Sequence, residues 1–170
     1  PYVATGLKTS KFGVSFDEAR RAYERAARLE NVEVVGVDCH IGSQLTELAP
    51  FVEAVDRLLE LVRDLRADGH RVRLLDLGGG LGIQYDAEDP PTPAQYGAAI
   101  RERVADESLT LVLEPGRSIA GNAGVLLTRV SFTKSTDEKR FAVVDAGMND
   151  LLRPSLYGSF HAIETVVDAS

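Results

Sequence analysis

The chain has 170 residues, a formal net charge of −7, 44% hydrophobic residues and 26% charged residues. That is enough chain for one domain with a real core, in the proportions of an ordinary soluble globular protein. The acidic balance argues against general nucleic-acid or membrane-surface binding, and the single cysteine, Cys39, excludes a disulfide framework and a cysteine zinc cluster.

The elements alternate simply along the chain. Ser15, with Glu18 three residues on, predicts a capped helix start. Phe16, Ala19, Tyr23, Ala26 and Leu29 follow it at helical spacing. The β-branched run from Val32 to Cys39 predicts a buried strand. Leu48, Phe51, Val52, Val55, Leu58, Leu59, Val62 and Leu65 form one apolar stripe, so a second helix is expected there, ended by Gly69. A second strand is predicted over Arg71 to Leu77, then a loop at Pro90, Pro91 and Pro93. A helix from about Pro93 to Ala105 and a strand from Leu109 to Glu114 complete the alternation. Strands and helices at this spacing imply parallel strands with right-handed crossovers. Beyond Glu114 the pattern changes. Residues 124–135 and 140–148 read as two strands without an intervening helix, a hairpin or meander. A soft boundary falls near Asn122.

In a parallel α/β arrangement ligands bind at the carboxyl ends of strands. The first end carries His40, Gly42, Ser43 and Gln44. The second carries Gly78, Gly79 and Gly80, and the third Glu114, Gly116 and Arg117. Glycine turns with exposed N–H groups cradle phosphate, a serine hydroxyl can add a hydrogen bond, and an arginine can bind an oxyanion in bidentate fashion. A bound phosphate is therefore expected at these ends. Plainer readings stand beside it: a tight glycine turn, a packed His40, and a structural ion pair between Glu114 and Arg117. Ile83 breaks the dinucleotide-binding fingerprint, which needs glycine or alanine there. Asp38 and Asp76 are expected to serve local hydrogen bonds, and Cys39 to be a small buried hydrophobe. No metal site is expected.

The stretches TGLKTSKFG (5–13), CHIGSQL (39–45), LDLGGGLGI (75–83), EPGRSI (114–119) and VDAGMNDLLRPSLYG (144–158) follow in an order that resembles the diaminopimelate decarboxylase family. The resemblance covers almost the whole chain. Several of these stretches are shared with related ornithine, arginine and carboxynorspermidine decarboxylases, whereas MNDLLRPSLYG favours the diaminopimelate branch. It implies an α/β fold: the later part of an alanine-racemase-like TIM barrel over residues 1–122, which binds cofactor, and the start of a β-rich domain over 123–170 with a substrate-binding loop. It implies pyridoxal 5'-phosphate as cofactor, and decarboxylation of meso-2,6-diaminopimelate to L-lysine. His40 would stack on the cofactor ring. Ser43, Gly79 and Gly80 would hold its phosphate, with Pro115 and Gly116 beside them. Glu114 would face the pyridine nitrogen, and Arg117 would lie by the phosphate and a substrate carboxylate. Arg153 and Tyr157 match substrate-binding positions. His40 and Glu114 are the residues expected to act in the chemistry.

Other expectations follow from the same resemblance. The family uses a Schiff-base lysine early in its barrel, and Lys8, Lys11, Lys134 and Lys139 lack that context. A later cysteine and tyrosine of the family also have no counterpart, and Cys39 is not that cysteine. The chain is thus expected to be an internal part of such an enzyme and inactive alone, with the complete protein a cytoplasmic homodimer. The absence of a signal peptide or membrane-length apolar run agrees with that location. The alternative is a non-catalytic module that binds phosphate ligands.

Overall fold

The computed structural model describes residues 12–167. The stretch TGLKTSKFG and Lys8 and Lys11 lie wholly or mostly outside the described residues. Two compact units are present: Pro1–Ile83 with Asp89–Gly121, and Gln84–Glu88 with Asn122–Ser170.

In the first unit, helices and short strands alternate along the described residues. Helix α1 spans Phe16–Ala26 and starts as its sequence requires. Ser15 accepts from the Glu18 N–H, and the Glu18 carboxylate accepts from the Ser15 N–H. It stops short of Leu29, which is half-exposed. Strand β1 (Gly36–Asp38) leads to α2 (Ala49–Ala67), then β2 (Leu74–Asp76), α3 (Pro93–Val104) and β3 (Thr110–Val112). The strands pair in parallel in the order β1–β2–β3, with Val37 opposite Leu75 and Leu75 opposite Leu111. This is the expected α/β arrangement with a parallel sheet.

The core lies between this sheet and the apolar stripe of α2. Phe51, Val55, Leu58, Leu59, Val62 and Leu65 are all buried against Val37 and Leu75. Phe51 meets Tyr96 of α3 edge-on, with ring centroids 4.9 Å apart. Gly69, at φ +93°, ends α2: its N–H donates to Arg66 O and that of His70 to Leu65 O. Those two bonds form a Schellman turn, which needs a left-handed residue at that point. Thr92 and Gln95 cap α3 reciprocally, and Pro93 occupies its first position, where a missing N–H is harmless.

All three parallel strands are shorter than the apolar runs that predict them. Around β1 and β3 the runs include exposed residues, among them Val32 and Leu113, so the expectation of a buried strand over Val32 to Cys39 holds only at Val37; at β2 burial outlasts pairing. Val72 is buried but precedes the ladder of β2.

In the second unit, β4 (Val130–Ser135) and β5 (Arg140–Val144) form an antiparallel hairpin with a bulge between Val130 and Phe132. The expected meander is present, but its first strand begins at Val130 rather than Gly124. Two five-residue helices, α4 (Gly116–Ala120) in the first unit and α5 (Arg153–Tyr157) in the second, have no counterpart in the sequence reading. Elements of one turn are too short to show periodicity. Punctuation marked α5 nonetheless: Pro154 lies in its first turn, and Gly158 ends it at φ +61°. No helix among the described residues is long and apolar enough to cross a membrane.

Candidate cofactor and substrate site

The strand-end loops of the first unit are stitched together well past the regular ladder. Cys39 N–H donates to Asp76 O at 3.0 Å, and Leu77 N–H to Val112 O at 3.1 Å. Further on, Glu114 N–H donates to Gly78 O, and Leu45 N–H to Gly80 O. Residues His40 to Leu45, Gly78 to Gly82 and Glu114 therefore lie side by side as one rim, in the same strand order as the sheet.

The glycines make this rim possible. A Cβ on Gly78 would lie 2.8 Å from His40 Nδ1 and 2.9 Å from Cys39 O. One on Gly79 would collide with Glu114 O, and one on Gly80 with Gly42 O. Gly78 and Gly80 also hold positive φ, +62° and +104°, where a side chain adds strain. So each member of the run is required by a neighbouring backbone, whatever else approaches it.

Four polar groups occupy the rim. Gly79 N–H donates to His40 Nδ1 at 3.2 Å, so the neutral ring carries its proton on Nε2. Ser43 is partly buried, and its hydroxyl has no hydrogen-bond partner among the described residues. The Gly80 N–H is likewise unpartnered there, on a residue whose Cβ position faces the Gly42 carbonyl, one residue before Ser43. Glu114 is exposed, and its carboxylate forms no ion pair with a described residue. The structural pair between Glu114 and Arg117 is thus not formed.

The chain then turns sharply. Gly116 N–H donates back to Glu114 O at 2.8 Å, across Pro115 at φ −78°, ψ 49°. That is an inverse γ-turn. It starts α4, which carries the half-buried Arg117. The Ser118 hydroxyl donates to Leu81 O, which ties α4 to the glycine loop.

The strand aspartate Asp76 serves as expected, accepting from the Gly78 N–H at 2.9 Å. Cys39 packs on the core, and its thiol is pushed up by burial and by the Asp38 carboxylate. Gln44 has a role the sequence reading did not assign. Its amide grips Ile83 like a peptide unit, donating to Ile83 O at 2.6 Å and accepting from Ile83 N–H at 3.2 Å. Gln44 itself sits at φ +60°. The signal lay in its side chain, which offers donor and acceptor together next to a glycine-rich loop.

Arg153 and Tyr157 stand apart from these residues in sequence, one turn from each other on α5 of the second unit. Arg153 is half-buried and Tyr157 exposed. Arg153 Nη2 donates to Ser159 Oγ at 3.2 Å.

The residues on the rim fit a phosphorylated, ring-bearing ligand. They offer two free donors beside a glycine turn, an imidazole and an unpaired carboxylate. Comparison with known proteins points the same way. Diaminopimelate decarboxylase of Pseudomonas aeruginosa is 58% identical over 166 residues, 98% of this chain and 40% of that protein. The Neisseria meningitidis serogroup A enzyme of the same name is 53% identical over 166 residues, 98% of this chain and 41% of that protein. The chain spans about two fifths of the length of these relatives. The crystal structure of diaminopimelate decarboxylase from Helicobacter pylori complexed with L-lysine superposes with a TM-score of 0.94 at 42% identity, over 99% of this chain and 42% of that one. Residues 1–121, which include the whole rim from His40 to Arg117, match the family described as "Pyridoxal-dependent decarboxylase, pyridoxal binding domain", and the chain belongs to that family.

Proposed function

We propose that this chain forms the cofactor-binding and substrate-binding part of a diaminopimelate decarboxylase. In this reading residues 1–122 are the later part of a (β/α) barrel and 123–170 the start of a β-rich domain. The reaction is loss of carbon dioxide from meso-2,6-diaminopimelate to leave L-lysine, with pyridoxal 5'-phosphate as cofactor. The observation that carries it is the backbone stitching of the three strand-end loops into one rim, which bears two donors without a partner among the described residues, Ser43 Oγ and Gly80 N–H, together with His40 and Glu114. The names and identities of the relatives support the substrate. Homodimeric assembly and a cytoplasmic location belong to the same proposal and rest on the resemblance.

The roles follow from the chemistry of each group. Ser43 and the Gly80 N–H donate to the phosphate, and Gly79 keeps the floor of the turn free of side chain. Pro115 and Gly116 bend the chain so that Arg117 follows directly on Glu114, where it contributes positive charge toward the phosphate or a substrate carboxylate. His40, fixed through Nδ1, presents its ring face for stacking. Pyridoxal phosphate, when bound, supplies an electron-withdrawing ring that takes up the electrons released as carbon dioxide departs. Glu114 holds a proton on the pyridine nitrogen, because its negative charge favours the protonated form. Arg153 and Tyr157 bind a carboxylate of the substrate.

The test is an exchange. This chain replaces the matching 166 residues of the Pseudomonas aeruginosa enzyme, and cofactor absorbance and carbon dioxide release are measured. The exchanged enzyme is expected to bind pyridoxal phosphate and to prefer diaminopimelate over ornithine and arginine. A folded exchange protein that binds cofactor without decarboxylating diaminopimelate would favour a non-catalytic module, and one that prefers ornithine or arginine would overturn the substrate.

A further inference from the structure

A cluster in the second unit has no role in the reading above. The Arg153 guanidinium carbon stands 5.6 Å from the centroid of the Tyr85 ring. His161 meets the same ring edge-on, at 5.8 Å and 78°. Guanidinium, phenol and imidazole thus share one ring, and Ser159 adds its hydroxyl to Arg153 Nη2. Tyr85 itself is fixed from behind. Its N–H and that of Asp86 both donate to Glu88 Oε2, at 3.1 and 2.7 Å. Those backbone N–H groups hold the Glu88 carboxyl below its usual range, that of Asp86 foremost.

Arg66 is half-buried and pairs with the Glu107 carboxylate. Arg153 pairs with none among the described residues, although it is half-buried. Its Nε is buried without a hydrogen-bond partner, as is His161 Nε2. A guanidinium in that state is costly to keep. A carboxylate would relieve the cost, but it would also occupy the N–H groups that an incoming anion needs. An aromatic face attracts the cation electrostatically and leaves it charged. A neutral hydroxyl does the same.

We propose that Tyr85 is a positioning residue for Arg153: its ring, braced by His161, holds the guanidinium in place and leaves its charge unneutralised for a substrate carboxylate. This rests on the reading of Arg153 as a substrate ligand. It assigns a function to the stretch just after the glycine run, where Tyr85 follows Gly82 by three residues.

The exchanged enzyme described above tests it, with Tyr85→Leu, Tyr85→Phe, Arg153→Ala and the double variant Tyr85→Leu/Arg153→Ala. Tyr85→Leu is expected to raise KM for diaminopimelate by about fivefold, with kcat and cofactor occupancy changed less than about twofold. Tyr85→Phe keeps the ring and is expected to restore KM to within about twofold of the parent. In the double variant KM should match that of Arg153→Ala alone, because Tyr85 acts through Arg153. An unchanged KM in Arg153→Ala would remove the substrate-ligand reading and this proposal with it. A raised KM in Arg153→Ala with an unchanged KM in Tyr85→Leu would overturn the positioning role alone. A multiplied effect in the double variant, or a fall in occupancy with every Tyr85 change, would do the same. Should Tyr85→Leu not fold, Tyr85→Met, which also lacks the ring, carries the same comparison.

Discussion

Replacing Gly79 by alanine adds one methyl group at the tightest point of the rim. A Cβ there would fall inside the 3.0 Å that real Cβ atoms respect from the Glu114 carbonyl oxygen, and ordinary contact begins at 3.4 Å. The obstacle is backbone, so no side chain can swing away. The loop after β3 must therefore retreat from the loop after β2 by on the order of 1 Å. That retreat strains the bond from Glu114 N–H to Gly78 O, now 2.8 Å. Losing one such bond costs about 1 kcal/mol, and overpacking a close contact costs about 1–3 kcal/mol. The sum is a destabilisation of about 2–4 kcal/mol. Gly79 lies outside the left-handed region, so no strain from φ is added. Gly97 in α3 is the internal control. Nothing lies within 4 Å of its Cβ position, and alanine there should stabilise by up to about 1 kcal/mol through helix propensity. The chain has no tryptophan, so urea unfolding is followed by circular dichroism at constant slope. A Gly79→Ala midpoint equal to that of the parent, beside a raised midpoint for Gly97→Ala, would refute the close-packing explanation of the glycine run.

Three further outcomes are expected. Glu114→Gln in the exchanged enzyme should leave cofactor occupancy unchanged and lower kcat by roughly 10²-fold, read by single-turnover carbon dioxide release; full turnover would remove the ring-nitrogen role. Gln44→Leu leaves the Ile83 N–H and carbonyl without their clamp, and should cost about 1–3 kcal/mol in the same urea experiment. Asp145 accepts from the Arg129 N–H and the Thr128 hydroxyl, bonds that hold its carboxyl below the usual aspartate range. A depressed folded value means that this contribution is complete above the unfolded value, roughly pH 4, and is lost as pH falls through the folded one. Asp145→Asn should therefore flatten the acid side of the stability profile, measured by thermal melts between neutral and acid pH.

The parallel sheet was legible because its determinants are local. The Ser15–Glu18 cap, the stripe from Phe51 to Leu65 and the stop at Gly69 each depend on neighbours within a turn or two of chain. Strand length was not legible. The β-branched run from Val32 to Cys39 reports strand propensity, yet only Val37 in it is buried and only three residues pair, because pairing depends on what β2 offers opposite. The small helices α4 and α5 escaped for a related reason. One turn cannot show a period, so only Pro154 and Gly158 betray α5.

The candidate site divides along the same line. His40, Gly80 and Glu114 could be placed together because parallel strands in alternating order bring their carboxyl ends to one edge. The reason for three successive glycines could not be read locally. Gly78 is needed by His40 and Cys39, 38 and 39 positions earlier in the chain; Gly79 by Glu114, 35 positions later; Gly80 by Gly42. The requirements come from the two neighbouring strand ends, that of β1 for Gly78 and Gly80 and that of β3 for Gly79, and they exist only once the sheet has formed. A glycine run of this kind first closes the rim backbone to backbone. Within that rim the Gly80 N–H and the Ser43 hydroxyl have no acceptor among the described residues. In the proposed function the same three residues answer to stability and to ligand binding at once. That coupling explains why a substitution chosen to test binding, such as Gly80→Val, must also be judged by its effect on folding, since at φ +104° and against the Gly42 carbonyl it perturbs the rim before any ligand arrives.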